Sequence, residues 1–336
     1  MKRAMVVVLV AGLLVTLGWM IMPFPWGHSA EPPPPGNGSG NGDAFGADRE
    51  APAFKAIAFD DARAMKYLQE LCEFGPRLSG SATMKKQQKR LQEHFEKHGA
   101  KVRLQTFDGK QPSQRDAVSM ANLIASWHPD RKSRVIFCGH YDTRPYADQE
   151  PDRRNWNKPF LSANDGTSTT AFLMEFAHHV GQIPMNVGID FVIFDGEEYI
   201  FDTTRDRYFL GSEHFAAEYR KSRDGTQYRA AILLDLFAGK NAKLKVEPGS
   251  SFWAGGLVQQ VWDIAADQKC DAFVWQMGRE VLDDHLALNR VGIPAIDIID
   301  FDYPHWHKLT DVPANCSGAI MKQVGTVLNI WLQIQP

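Results

Sequence analysis

The chain has 336 residues, 44% hydrophobic and 23% charged, the make-up of a globular protein with a full core. A formal net charge of -3, with no basic stripe, excludes a nucleic-acid footprint, which needs a clear basic excess. The four cysteines, Cys72, Cys138, Cys270 and Cys316, form no CxxC pair, which argues against a zinc ribbon. A chain this long does not need disulfide staples, so four buried free thiols are expected.

Lys2 and Arg3 precede an uncharged stretch from Ala4 to Trp26. A membrane-spanning helix needs ~20 apolar residues, and this run suffices. A cleaved signal peptide has a shorter apolar core and a small-x-small site, for which His28-Ser29-Ala30 is a poor match. Residues 1–26 therefore read as a signal-anchor with its basic end inside the cell, and cleavage is the alternative. Either way the rest of the chain is expected outside the cytoplasm, membrane-anchored or secreted. Pro32 to Pro35 and the Gly-Asn-Gly-Ser-Gly-Asn-Gly run after them make residues 27–55 a linker, stiff and then loose. One folded domain is expected from 56 to 336.

Within that domain, Ala64, Tyr67, Leu68 and Leu71 share one face of a helix from Asp61, which Gly75-Pro76 stops. A second helix runs from Met84 to His98, with Gly99 at the C-cap position. Lys101 to Phe107 and Asn122 to Trp127 read as strands, the second followed by a turn at His128-Pro129. Further strand-like apolar runs are Val135–Cys138, Ile189–Phe194, Ala231–Leu234 and Pro294–Ile299. Helical patterns lie at Ser168–Val180, Leu210–Tyr219, Gly255–Ala266 and Ala319–Ile334. Alternating strands and helices predict an α/β three-layer sandwich, with a mixed, mostly parallel sheet and helices on both faces.

The chemistry collects at the ends of the apolar runs. Val135–Cys138 leads into Gly139-His140-Tyr141-Asp142, and Ile189–Phe194 into Asp195-Gly196-Glu197-Glu198. Ala231–Leu234 ends at Asp235, and Pro294–Ile299 leads to Trp306-His307. Ligands bind outside the carboxyl ends of strands in open α/β sheets. Carboxylates and imidazoles delivered there suit zinc or a similar divalent ion. Of the adjacent Glu197 and Glu198, one can coordinate a metal while the other serves as general acid or base. An isolated Glu-Glu pair is more often a solvated turn, but this one follows a fully apolar run. Asp165 in Ser162-Ala-Asn-Asp-Gly-Thr, taken alone, is an ordinary helix-capping aspartate. Asp235, among apolar neighbours, needs a metal or a shared proton. Asp283-Asp284-His285 offers a further acid.

In this order, His140-x-Asp142, Asn164-Asp165, Asp195-Gly-Glu-Glu198, Leu234-Asp235 and Trp306-His307-x-x-x-Asp311 resemble the motifs of the zinc aminopeptidase family M28. More narrowly they resemble its glutaminyl-peptide cyclotransferase branch. The twelve-residue loop from Tyr199 to Leu210, the Asp283-Asp284-His285 segment and Trp306 beside His307 carry that narrower likeness. It runs from Phe74-Gly-Pro-Arg77 to the C-terminus.

The resemblance implies that Asp165, Glu198 and His307 hold one zinc and that Glu197 shuttles protons. It implies that Asp235 and Asp283 form a hydrogen-bonded acid network with Glu197, and that Trp306 lines the substrate pocket. In an aminopeptidase, His140 and Asp235 would hold a second zinc, Asp165 would bridge both ions, and Asp142 would orient His140. Animal-type cyclases carry a pocket tryptophan in the loop after the Glu-Glu pair; here Phe201 to Thr204 stand instead, and Trp156 is the substitute to examine. They also have a disulfide that Cys138 cannot form, because Thr169 and Thr170 occupy the partner positions. The implied substrates are peptide or protein N-termini, with a monomeric catalytic domain. The expected reaction is cyclisation of N-terminal glutamine with one zinc. Removal of an N-terminal residue, with one zinc or two, is the alternative. An inactive envelope-tethered binding domain is the third and weakest reading, since all four of Asp165, Glu197, Glu198 and His307 are present.

Overall fold

The computed structural model describes Phe54 and residues 56 to 336. The segment read as a signal-anchor, and the linker apart from Phe54, lie outside the described residues. Among the described residues, no helix is long and apolar enough to cross a membrane.

The chain opens with helix α1, Asp61–Cys72, started by the Asp60 side chain accepting from the Arg63 N–H at 2.9 Å. Ala64, Leu68 and Leu71 are buried on its inner face. Helix α2, Ala82–Lys97, is capped by Ser81, and Gly99 follows its end at φ +86°. Strands β1, Lys101–Gly109, and β2, Val118–Trp127, are longer than their apolar cores implied, because they form an antiparallel ribbon paired along its full length. Next come strand β3, Ser133–His140, helix α3, Thr167–Val180, strand β4, Gly188–Phe194, and helix α4, Leu210–Lys221. Strand β5, Gln227–Asp235, precedes a short strand β6, Leu244–Val246. Helix α5, Pro248–Asp267, starts seven residues before the predicted Gly255, with a break in helical geometry at Ala254. Strand β7, Phe273–Met277, pairs with β6 in a small parallel sheet with no sequence signal of its own. The short helix α6, His285–Asn289, strand β8, Ala295–Ile299, and helix α7, Gly318–Gln333, complete the domain.

The main sheet has the order β1-β2-β4-β3-β5-β8. Four neighbouring strands, β4, β3, β5 and the edge strand β8, run parallel, and β1 and β2 join antiparallel. Both faces are covered. Phe137, Phe191, Ile232 and Ile296 point to the face packed by α1, α2, α3, α5 and α7. Ile136, Val192, Leu233 and Ala295 point to the opposite face, with Phe215 of α4 and Leu288 of α6. This two-residue alternation between two buried faces is why the strands read as continuous apolar runs. All four cysteines are buried and free, as expected.

The parallel strands put their carboxyl ends at one edge. In the register, His140 stands opposite Phe194, and Asp235 opposite Ile299. The loops leaving these four strands therefore meet.

Candidate metal centre and pocket

Asp165, Glu198 and His307 converge, each offering a ligand atom within 4.8 Å of the others, and all three are buried. His307 Nε2 lies 3.1 Å from Glu198 Oε1 and 3.4 Å from Asp165 Oδ2. His307 Nδ1 lies 2.8 Å from Asp148 Oδ1. A carboxylate can only accept, so Nδ1 carries a proton, and once Nε2 gives up its own proton its lone pair faces the other two acids. Three acceptors then aim at one point, and Asp165 Oδ2 is buried with no hydrogen-bond partner. The donor set therefore fits a divalent cation of the zinc type. Burial works against charge on His307, but Glu198 and Asp148 outweigh it and raise it to about 9. A proton there meets the same electrostatic demand that a bound cation would.

Asp165 belongs to a second group. His140 Nε2 lies 3.1 Å from Asp165 Oδ1 and 3.3 Å from Asp235 Oδ1, and these three residues also offer ligand atoms within 4.8 Å of one another. His140 Nε2 has no hydrogen bond of good geometry. The backbone makes room for this approach at Gly166, where φ is +70° and a Cβ would sit 2.5 Å from the His140 ring.

Glu197 stands next to these groups without joining either. Its Oε2 is buried with no hydrogen-bond partner. Burial, and then the charge of Glu198, raises its carboxyl well above the usual range. Burial would raise Glu198 as well, but Arg144 and His307 hold it well below that range. Two adjacent carboxyls are thus pushed apart, the pattern that separates a proton carrier from a fixed anion.

A pocket of about 310 Å³ opens over the cluster. Asp165, Glu197, Glu198, Asp235, Asp283, Trp306 and His307 all line it. The loop from Tyr199 to Leu210 contributes Thr203, Tyr208 and Phe209 to its wall. Phe301 packs on Trp306 with ring centroids 4.9 Å apart. Trp156 does not line this pocket. Its Nε1 donates to the Glu150 carbonyl at 3.0 Å instead, so the aromatic wall comes from Tyr208, Phe209 and Phe301 beside Trp306. Asp235 and Asp283 share the pocket with Glu197, but among the described residues no hydrogen bond joins their carboxyl groups. Burial, and then the charge of Asp235, raises Asp283 well above the usual range. Asp142 differs in detail from its expected role. His140 Nδ1 meets its main-chain oxygen at 3.2 Å, while its carboxylate accepts from the Glu197 N–H at 3.2 Å and the Glu198 N–H at 2.9 Å. It holds the Glu-Glu turn more directly than the imidazole.

A family model described as "Peptidase family M28" matches residues 122–331. The chain belongs to this family. A glutaminyl cyclase from Fimbriiglobus ruber is 53% identical to it, covering 86% of this chain and 100% of that one with a TM-score of 0.83. A leucine aminopeptidase precursor from Bacteroides thetaiotaomicron is 30% identical, covering 84% and 100%, with a TM-score of 0.79. The glutaminyl-peptide cyclotransferase of Bos taurus is 20% identical over 244 residues, which are 64% of this chain and 66% of that protein. The chain thus spans just under two thirds of that curated relative. The resemblance to the glutaminyl cyclase branch of M28, read from the motifs, is borne out.

Three residues around the M28 centre escaped the sequence reading. Asp148 holds His307, and Arg144 donates to Glu198 Oε2 at 2.9 Å and to Asp148 Oδ2 at 3.0 Å. Both lie in the irregular loop after β3, and their only signal was its closeness to His140-x-Asp142. Arg77 is 1% exposed and donates to the Leu161 carbonyl at 2.9 Å and to the Thr167 hydroxyl, bracketing the loop that carries Asp165. Its place beside the helix-stopping Gly75-Pro76 gave no hint of burial. Asp311 completes that bracket, accepting from the Asn164 N–H at 2.8 Å and the Asp165 N–H at 3.3 Å.

Proposed function

We propose that this M28 chain is a zinc-dependent glutaminyl-peptide cyclotransferase, which closes the N-terminal glutamine of a peptide to pyroglutamate and releases ammonia. The 53% identity to the Fimbriiglobus ruber glutaminyl cyclase is the observation that supports this reading most. Asp165, Glu198 and His307 would hold the ion. Bound there, zinc supplies a Lewis acid that polarises the glutamine side-chain amide carbonyl. Glu197 takes a proton from the attacking α-amine. It then returns that proton to the nitrogen that leaves as ammonia, and the raised affinity of its carboxyl suits both halves of the transfer. Trp306, Phe301 and Phe209 wall the pocket and exclude the water that would otherwise compete as nucleophile. Asp235 and Asp283 lie in the same pocket, and the charge of Asp283 adds to the rise of the Glu197 carboxyl.

The second reading is hydrolysis of an N-terminal residue. It is favoured by the His140, Asp165 and Asp235 group, which shares Asp165 with the first and gives a second ion a place. The 30% identity to a leucine aminopeptidase precursor points the same way. Mass spectrometry of a Gln-initiated peptide tests the first reading. The product should have lost ammonia at unchanged chain length; a peptide shortened by one residue would contradict it. The substrates in either case are peptide or protein N-termini.

A further inference from the structure

A third group of ligand-type side chains lies away from the pocket. His94, in the last turn of α2, and His98, at its C-cap, are four residues apart and so share a helix face. His178, in the last turn of α3, faces them. The ring centroids are 4.6 Å apart for His94 and His98, 4.0 Å for His98 and His178, and 5.6 Å for His94 and His178. One ligand nitrogen from each lies within 4.8 Å of the other two. We propose that His94, His98 and His178 form a second, peripheral site for a divalent transition metal, taking zinc or a similar imidazole-preferring ion with water in the remaining position.

Four observations carry this assignment. First, hydrogen bonds engage one nitrogen of His94 and one of His178 and leave the other nitrogen of each ring without a partner among the described residues. His94 Nε2 lies 2.8 Å from the Met174 carbonyl, which can only accept, so Nε2 carries the proton and Nδ1 keeps a lone pair. His178 Nε2 pairs with the Tyr67 hydroxyl at 2.8 Å. A histidine that bonds a carbonyl or hydroxyl through one nitrogen and offers the other is oriented as metal ligands are. Second, among the described residues the His98 ring has no hydrogen-bond partner. Third, the site lies where two helices end, and each C-terminus carries about half a negative charge that favours a cation. Of the fixed positive charges that act on these rings, Arg63 is already paired with Glu175 through its Nε at 2.5 Å and its Nη2 at 2.9 Å, Arg90 is paired with Glu70, and Lys97, beside His98, is exposed to solvent. Fourth, the rings are close to a binding geometry. Tetrahedral coordination at about 2.0–2.1 Å sets nitrogens roughly 3.3 Å apart, so closing from 4.8 Å takes modest side-chain rotation. Burial also pulls His94 and His178 each down to about 4, which leaves both imidazoles neutral at pH 7.

The site is separate from the pocket. Asp165 precedes the first turn of α3 and His178 sits in its last, about 20 Å away at 1.5 Å per residue. An ion there would tie α2 to α3 without touching Glu197, so the assignment does not rest on the proposed reaction.

The test uses the full chain, purified without a polyhistidine tag and dialysed against micromolar free zinc, with zinc counted per chain by mass spectrometry. The readout is the difference between proteins, whatever number of ions the pocket holds. Wild type should carry one equivalent more than His98→Ala and one more than His178→Ala, with turnover of peptide substrate and circular dichroism unchanged in both. Equal zinc counts in wild type and both variants would overturn the assignment. If His178→Ala does not fold, the milder His98→Gln decides: a lost equivalent supports the site and an unchanged count overturns it.

Discussion

His307 Nδ1 stands 2.8 Å from Asp148 Oδ1, and this contact fixes which imidazole nitrogen faces Asp165 and Glu198. A carboxylate behind a ligand histidine sets its tautomer and raises its basicity, and losing such a partner weakens metal binding about 10–100-fold. Asp148→Asn should therefore lower zinc affinity by that factor while the fold persists. Competition against a chelator of known affinity measures this, and an unchanged dissociation constant would remove Asp148 from the account.

Glu197 lines the pocket but belongs to neither ligand group. Glu197→Gln keeps the shape and removes the titrating oxygen. Turnover should fall by about 10²–10⁴-fold, the range for a lost general acid–base, with zinc content unchanged. Near-native turnover in this variant would end the proton-shuttle assignment.

The backbone beside Asp165 gives a stability prediction. Gly166 has φ +70°, and a Cβ would approach the His140 ring to 2.5 Å. Gly166→Ala should cost more than about 1 kcal/mol, because an alanine pays for the left-handed conformation and the ring must also move. Chemical denaturation reads this directly. A variant as stable as wild type would mean that the loop is free to rearrange.

Glu247 links a helix end to the pocket rim. Its carboxylate accepts from the Gly249 N–H at 2.8 Å at the start of α5 and from the Val281 N–H at 3.2 Å, and Val281 lines the pocket. Burial opposes the charge, but His285 and the α5 N–H groups prevail and hold this carboxyl down to about 2. A depressed carboxyl contributes stability above its unfolded pKa of about 4.3, and that contribution is lost as pH falls through the folded value. Glu247→Gln should thus be less stable than wild type at pH 7. The difference should shrink between about pH 4 and pH 2. Denaturation midpoints at several pH values check this; a pH-independent difference would point to shape rather than charge.

Much of this architecture was legible because apolar runs and acids alternate along the chain. Val135–Cys138 and Ile189–Phe194 read as buried strands because both their faces are covered, and Asp235 stood out at the end of a third. The candidate ligands were readable for the same reason: Asp165, Glu198, His140 and His307 sit where strands or their following loops end. The partners that orient them were not. Asp148, Arg144 and Arg77 lie in loops without periodicity, and their roles arise only from contacts across 159, 54 and 84 residues. β6 and β7 were illegible because each is short and pairs only with the other. The place of Trp156 was open in the sequence because an aromatic residue near a pocket in sequence can still turn to a backbone carbonyl, as this one does to Glu150.

The most direct test offers the purified chain matched Gln-initiated and Leu-initiated peptides and measures ammonia and free amino acid together. The account predicts ammonia and pyroglutamyl peptide in equal amounts from the first, and no leucine from the second. Leucine release without pyroglutamate formation would contradict it and leave the His140–Asp165–Asp235 group as the better guide to the reaction.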